Sequence, residues 1–278
     1  MAARFPVMIV SLTRSGRRAR IAEVMSRHGV DFSFVDAIDA QRFESGELAR
    51  LYDDSAARAR YGWSLTMGEV ACFLSHRLLW QRVVSGGRSV IVLEDDALLD
   101  PAFFMKVLTW REDTLAGMAD VVLLGQSKLS RSHEAREYLY EPLKRSSRID
   151  GMRIGTPFKQ WTSGAVGYWI SPHGAMLALA HTEGRVRALL DDWPWHRDEG
   201  GMNIKELRPY VVWEAFESLA SDLEGERSQV VPAREPWRDY LLEPIRVGRL
   251  VVRWGVAIAI RVAELIGWGG QKRTARDE

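Results

Sequence analysis

Cysteine is almost missing from this chain: Cys72 is the only one in 278 residues. No disulfide can therefore form within it, and a reducing, cytoplasmic compartment is the natural expectation. Nor is a Cys/His cluster at metal-ligand spacing expected. Charge of one sign is also lacking. Lys plus Arg number 38 against 37 Asp plus Glu, so no electrostatic footprint for nucleic acid exists. Low-complexity tracts and internal repeats are absent. The early apolar run in MAARFPVMIVSL is too short for a signal-peptide core with its cleavage site, and reads as a first strand. What remains is an ordinary globular composition, long enough for one large α/β domain or two small ones. The 11 tryptophans are many for this length; they suit sugar clefts and interfaces, but also fill ordinary cores.

The local patterns then place elements. VMIVSL (7–12) reads as a buried parallel strand. Ile21, Val24, Met25 and His28 recur at helical spacing before Gly29, which predicts a helix stopped by glycine. DFSFVDAID predicts a second strand alternating at Phe32, Phe34 and Ala37. Strand, helix, strand is a βαβ opening and argues for a doubly wound α/β core. Thr66 and Glu69 form a capping-box pattern at the head of a helix ending at Gly86–Gly87. Asp100–Pro101 opens another helix, and ADVVLLG (119–125) is a further strand. Residues 127–160 are polar and basic without periodicity, and read as a long functional or disordered loop. A strand at 163–171, a helix at Pro172–His181 and a last strand at 208–215 follow.

The chemistry concentrates at VIVLEDD (90–96), an apolar strand running into three carboxylates. Alternate strand residues share a face, so Glu94 and Asp96 converge while Asp95 turns away or is held by backbone amides. Ligands gather at strand C-termini in open α/β sheets. Two hard oxygen ligands there suit Mg²⁺ or Mn²⁺, ions usually held by one or two carboxylates plus substrate phosphates. Two alternatives stay open on these residues alone. The acids are a solvated strand end, or they mimic the first acidic strand of response-regulator receiver domains. Two βα units precede this strand, and the next ends in LLGQ without a phosphorylatable Asp, which counts against the receiver reading.

Four blocks in order, IVSLTRSGRRARI, FSFVDAIDA, LTMGEVACFLSHRLLW and VIVLEDDALL, together resemble the bacterial glycosyltransferase family 25. These are lipooligosaccharide-type galactosyltransferases, related to collagen galactosyltransferases. GAVGYWISPHGA and LLDDWPW resemble later blocks, and PYVVWEAFESLASDLEGER does so loosely. The resemblance spans about residues 5–227 and thins over 127–160. It implies a GT-A-like, Rossmann-type nucleotide-sugar-binding core with a UDP-hexose donor, a glycan or glycolipid acceptor, and Mn²⁺ or Mg²⁺ on Asp96 and Glu94, with Asp95 beside them. Ser11, Arg14 and Arg18 follow strand one, where they would meet nucleotide phosphate or base. Arg17, Arg18 and Arg20 read equally as a solvated helix face. Asp36, ahead of Asp39, would bind ribose hydroxyls, and Ser75 and His76 would contact the donor. Asp191 and Asp192 adjoin Trp193 and Trp195, which would serve as acceptor platforms; one of the two acids, Asp191 ahead of Asp192, would be the catalytic base for an inverting transfer.

The chain thus divides into a catalytic domain (1–227), a linker (228–243) and a tail (244–278). In the tail Arg246, Arg249, Arg253, Arg261 and Glu264 fall on one helical stripe, with apolar residues elsewhere. It is too charged to span a membrane, and it predicts an amphipathic helix lying on the inner face of the cytoplasmic membrane or packed on protein. A catalytically silent nucleotide-sugar-binding or scaffold protein on the same fold, and a metal-dependent phosphohydrolase, are the alternative functions.

Overall fold

The computed structural model describes residues 4–44, 46–158, 164–215 and 237–266. Its opening is the expected βαβ unit: β1 (Val7–Ser11), α1 (Arg17–Arg27) and β2 (Phe32–Asp36), with the two strands parallel. Ile21 and Met25 of α1 are buried, and Gly29 takes the left-handed φ of 61° that glycine accepts without a Cβ clash. On β2 the buried residue is Val35. The strand lies at the sheet edge, so Phe32 and Phe34 are only half covered, and Ala37 falls beyond its end.

Two short helices, α2 (Glu47–Leu51) and α3 (Asp54–Tyr61), lead to α4 (Met67–Gly86). The capping box forms as the sequence dictates: Thr66 accepts from the Glu69 amide, and Glu69 reaches back to the Thr66 amide. β3 (Val90–Glu94) then enters the sheet beside β1, and the chain turns at Asp95–Asp96 into β4 (Ala97–Leu99). Helices α5 (Pro101–Met105) and α6 (Glu112–Ala116) and strands β5 (Val121–Leu123) and β6 (Gly125–Gln126) follow.

Residues 127–158 are not a structureless loop. They form α7 (Glu134–Tyr140) and an antiparallel hairpin, β7 (Leu143–Ile149) with β8 (Met152–Pro157). β7 is the outermost strand and buries none of its residues, which is why its sequence carries no apolar alternation. β9 (Gly167–Ile170) and α8 (Pro172–His181) match expectation, followed by α9 (Trp193–Asp198). The last strand expected at 208–215 is shorter, and a further strand that the sequence reading did not place precedes it. β10 (Ile204–Arg208) pairs with β5, the chain breaks at the cis Arg208–Pro209 bond, and β11 (Val212–Glu214) joins a different sheet.

The main sheet has eight strands in the order β2-β1-β3-β9-β5-β10-β8-β7, with β9 antiparallel to both neighbours. A small second sheet, β4-β11-β6, sits at the end of β3. Alternation on the central strands feeds two cores. Val90, Val92 and Tyr168 pack with Phe73 and Trp80 of α4, while Ile91, Leu93 and Trp169 pack with Ile21, Met25 and Phe103 on the opposite face. Gly125 is needed where the sheets meet, because a Cβ there would lie 2.0 Å from the Val212 carbonyl oxygen.

The last helix, α10, runs from Trp237 to Leu265, so it begins inside the stretch read as a linker. Its backbone continues through Pro244, where the tail was read as starting. Residues 216–236 and 267–278 lie outside the described residues, and with them the rest of the linker and the end of the catalytic-domain boundary at 227.

Candidate functional site

A cleft opens at the C-terminal ends of β1 and β3, where crossover topology leaves room for a ligand. It is walled by α4 and by the segments around Gly164, Asp191 and Glu214. Glu94, Asp95 and Asp96 all line it, so the solvated-strand-end reading of these acids does not hold. Asp95 is the acid that the protein neutralises. Arg17 Nε lies 2.9 Å from its Oδ1, and Ser11 Oγ donates to its Oδ2 at 2.6 Å. Arg20 donates to the backbone carbonyls of Asp95 and Ala97. Side chains, and not backbone amides, therefore hold the middle acid. Arg17 and Arg20 form the brace of this turn, which replaces the solvated-face reading of that helix.

Glu94 and Asp96 have no ion-pair partner among the described residues, and Asp96 Oδ1 is buried without a hydrogen bond. Burial, followed by the charges of Asp96 and Glu214, pushes the Glu94 carboxyl well above the usual range. Burial and then Glu214 raise Asp96 to about 6, against the pull of Arg17. Such crowding of acids in a shielded cleft fits a divalent cation, since hard oxygen donors without a counter-charge are what Mg²⁺ and Mn²⁺ take. Glu214, at the end of β11, escaped the sequence reading. It accepts the Lys128 amide at 2.8 Å. VVWE repeats the grammar of VIVLE, an apolar run ending in an acid, and that signal was present.

The predicted residues separate under the fold. Asp191 lines the cleft and accepts the Gly164 amide at 3.1 Å. Its neighbour Asp192 is placed elsewhere: it caps α9 through the Trp195 amide and binds Arg60 at 2.5 Å and Tyr61 Oη at 2.7 Å. Trp193 and Trp195 are buried in the core, so they cannot be acceptor platforms. Ser75 and His76 both line the cleft and are fully buried. Ser75 Oγ accepts the Ile38 amide and donates to the Ala71 carbonyl, bolting α4 to the loop after β2. Arg14 lines the cleft beside Asp39, which it pairs with at 3.2 Å. Asp36 points outward and pairs with Arg18 at 2.5 Å, and neither borders the cleft. Arg18 instead donates to the Ser11 carbonyl at 2.8 Å and covers the Phe34 ring. Between the two acids weighed for the ribose, position favours Asp39.

Comparison with known proteins places the chain in a family. The family model described as Glycosyltransferase family 25 (LPS biosynthesis protein) matches residues 5–189. A "Glycosyltransferase 25 family member" of Aedes aegypti is 26% identical over 212 residues, covering 73% of this chain and 33% of that protein. "Procollagen galactosyltransferase 1" of Danio rerio is 26% identical over 182 residues, covering 62% and 28%. A "Probable inactive glycosyltransferase 25 family member 3" of Rattus norvegicus is 32% identical over 139 residues, covering 46% and 24%. The matches thus extend over a third or less of the length of these relatives.

Proposed function

This chain belongs to glycosyltransferase family 25, and from that premise we propose that it is an inverting, divalent-metal-dependent hexosyltransferase. Its donor is UDP-galactose, and its acceptor is a lipopolysaccharide, lipooligosaccharide or related surface glycan. The observation that carries this reading is the meeting of Glu94, Asp96, Asp191 and Glu214 in one cleft, with only Asp95 among the acids of the β3 turn neutralised by a guanidinium.

Arg14 and Asp39 at one end of the cleft bind the nucleotide. Arg17 and Ser11 fix the turn, so Glu94 and Asp96 are presented without reorganisation. Asp96, Glu94 and Glu214 would hold Mn²⁺ or Mg²⁺, which when bound supplies the positive charge that a departing diphosphate needs. Asp191, anchored by the Gly164 amide, accepts the proton of the acceptor hydroxyl as that oxygen attacks C1 from the face opposite the leaving UDP. The test is consumption of UDP-galactose with an acceptor glycan, with Mn²⁺ and then with excess chelator. Chelation and Asp96→Ala are each expected to stop it. Turnover independent of metal, or full activity in Asp96→Ala, would overturn the assignment. Cleavage of simple phosphate esters would instead indicate a phosphohydrolase.

The relatives named inactive give weight to a second reading, a nucleotide-sugar-binding protein without turnover. It predicts saturable UDP-sugar binding and no donor consumption across an acceptor panel.

We also propose that α10 seats this domain at the inner surface of the cytoplasmic membrane. Support comes from the way the helix docks. Arg253 faces the body and pairs with the buried Glu141, and Trp254 Nε1 donates to the Leu139 carbonyl at 2.8 Å. Part of the basic stripe therefore binds protein and not lipid headgroups. Val251, Val252 and Ile258 are left 64%, 64% and 57% exposed on the outer face. No helix among the described residues is long and apolar enough to cross a membrane; an interfacial helix needs only an apolar face.

A further inference from the structure

The fold assembles a donor set of which the hard-oxygen cation reading uses only Glu94. Cys72 and His76 stand four residues apart on α4, the spacing that stacks side chains on one helix face. Glu94 comes to them from the end of β3. A ligand atom from each of the three lies within 4.8 Å of the others. His76 is completely buried. Its Nδ1 lies 2.7 Å from Tyr168 Oη, which also accepts the Trp80 Nε1–H at 3.1 Å. Its Nε2 has no hydrogen-bond partner among the described residues. Leaving a buried polar nitrogen without a partner is costly.

We propose that Cys72, His76 and Glu94 form a site for a thiophilic divalent cation of the Zn²⁺ class, on the floor of the cleft. Three features carry this. A thiolate, an imidazole and a carboxylate are the mixed donors that Zn²⁺ selects over Mg²⁺ or Mn²⁺. Tyr168 supplies the outer partner that ligating histidines usually have: with Nδ1–H donating to Tyr168 Oη, the Nε2 lone pair is left for the metal. Three protein ligands leave a fourth position open, and because all three line the cleft, a water or a substrate oxygen can fill it. Binding replaces the Cys72 thiol proton by the cation and releases that proton to solvent. The site shares Glu94 with the proposed Mn²⁺ or Mg²⁺ set but does not depend on it, and the readouts below need no sugar transfer.

Because Cys72 is the only thiol in the chain, a thiol reagent reports on this site alone. In the full chain, Zn²⁺ is expected to slow Cys72 modification at least tenfold, whereas the same concentration of Mg²⁺ leaves the rate unchanged. Co²⁺ is expected to give a near-ultraviolet thiolate-to-metal charge-transfer band, lost in Cys72→Ser and weakened in His76→Gln. Asp96→Asn keeps the band, which separates this site from the hard-oxygen set. Equilibrium dialysis should find one Zn²⁺ fewer per chain in Cys72→Ser than in the unsubstituted protein. Equal modification rates with and without Zn²⁺, or a Co²⁺ complex without the band, would overturn the proposal. Should a variant fold poorly, the thiol-protection measurement on the unsubstituted chain still decides it.

Discussion

Arg17 on the first helix and Asp95 in the turn after β3 form an ion pair, Nε to Oδ1 at 2.9 Å, with both side chains largely shielded from water. The pair joins residues from separate βα units, and it explains how three consecutive acids coexist. The protein neutralises the middle one and leaves the outer two, Glu94 and Asp96, without an ion-pair partner among the described residues, as the proposed cation site requires. Two unit charges about 4 Å apart interact by about 4 kcal/mol near a protein surface, so this sorting of charges controls the cleft.

The outer acids should therefore fail differently from the middle one. Asp96→Asn is expected to lower metal-dependent kcat by about 100-fold or more, the scale seen when a preorganised charge-stabilising group is removed. Glu214→Gln should mainly raise the metal concentration needed for half-maximal activity, by about 10–100-fold. Metal titrations of each variant separate the two effects, and an unchanged Glu214→Gln titration would remove that residue from the site.

Asp191 and Asp192 are adjacent in sequence but should give opposite phenotypes. Asp192→Ala removes a helix cap and leaves Arg60, a third exposed, with Glu199 as its remaining ion-pair partner among the described residues. Losing such a cap costs about 0.5–2 kcal/mol, so the melting temperature should drop measurably. Asp191→Asn should leave the melting temperature nearly unchanged while abolishing transfer. Thermal melts beside donor-consumption assays on both variants make the distinction.

His196 sets an acid limit on stability. It is fully buried among Phe73, Trp80, Trp193 and Trp195. Nε2–H donates to the Leu190 carbonyl at 3.1 Å, and Nδ1 has no hydrogen-bond partner among the described residues. Burial lowers its pKa from 6.5 to about 4. The unfolded chain thus takes up a proton at a pH where the folded one does not, and stability falls as pH drops from about 6.5 towards 4. The loss is on the order of 3 kcal/mol by linkage. Denaturant midpoints across this window should slope less in His196→Gln than in the unsubstituted protein; equal slopes would exclude His196 as the cause.

The docking of α10 can be probed from either side. Glu141→Gln or Arg253→Met breaks the buried pair on the body side, and should raise amide exchange along residues 245–265 without altering the cleft. Val251→Glu with Ile258→Glu puts charge on the exposed face, and should reduce binding to anionic vesicles while leaving helix docking intact. Vesicle binding that survives this double substitution would place the membrane contact elsewhere.

Much of this was legible in the order of residues because it is local. A capping box, a glycine stop, a Pro at a helix start and a 3.6-residue apolar period are fixed by neighbours a few positions apart. On that basis α1, α4, α8 and β3 fall where the sequence puts them. The edge hairpin β7–β8 was not legible, since a strand with no buried residue has no apolar alternation to read. The approach of Glu94 to Cys72 and His76 was not legible either, because this acid arrives from β3 while they stand one turn apart on α4.

By itself, then, the sequence determined the elements with a buried face, the acidic strand end and the family resemblance. Only the tertiary structure decided which charges meet. Asp39 borders the cleft while Asp36 faces out, Asp191 enters while Asp192 caps a helix, and Glu214 joins acids that precede it by more than a hundred residues. The physical reason is that secondary structure follows short-range backbone geometry. Electrostatic company follows strand order and crossovers, which no window of neighbouring residues contains.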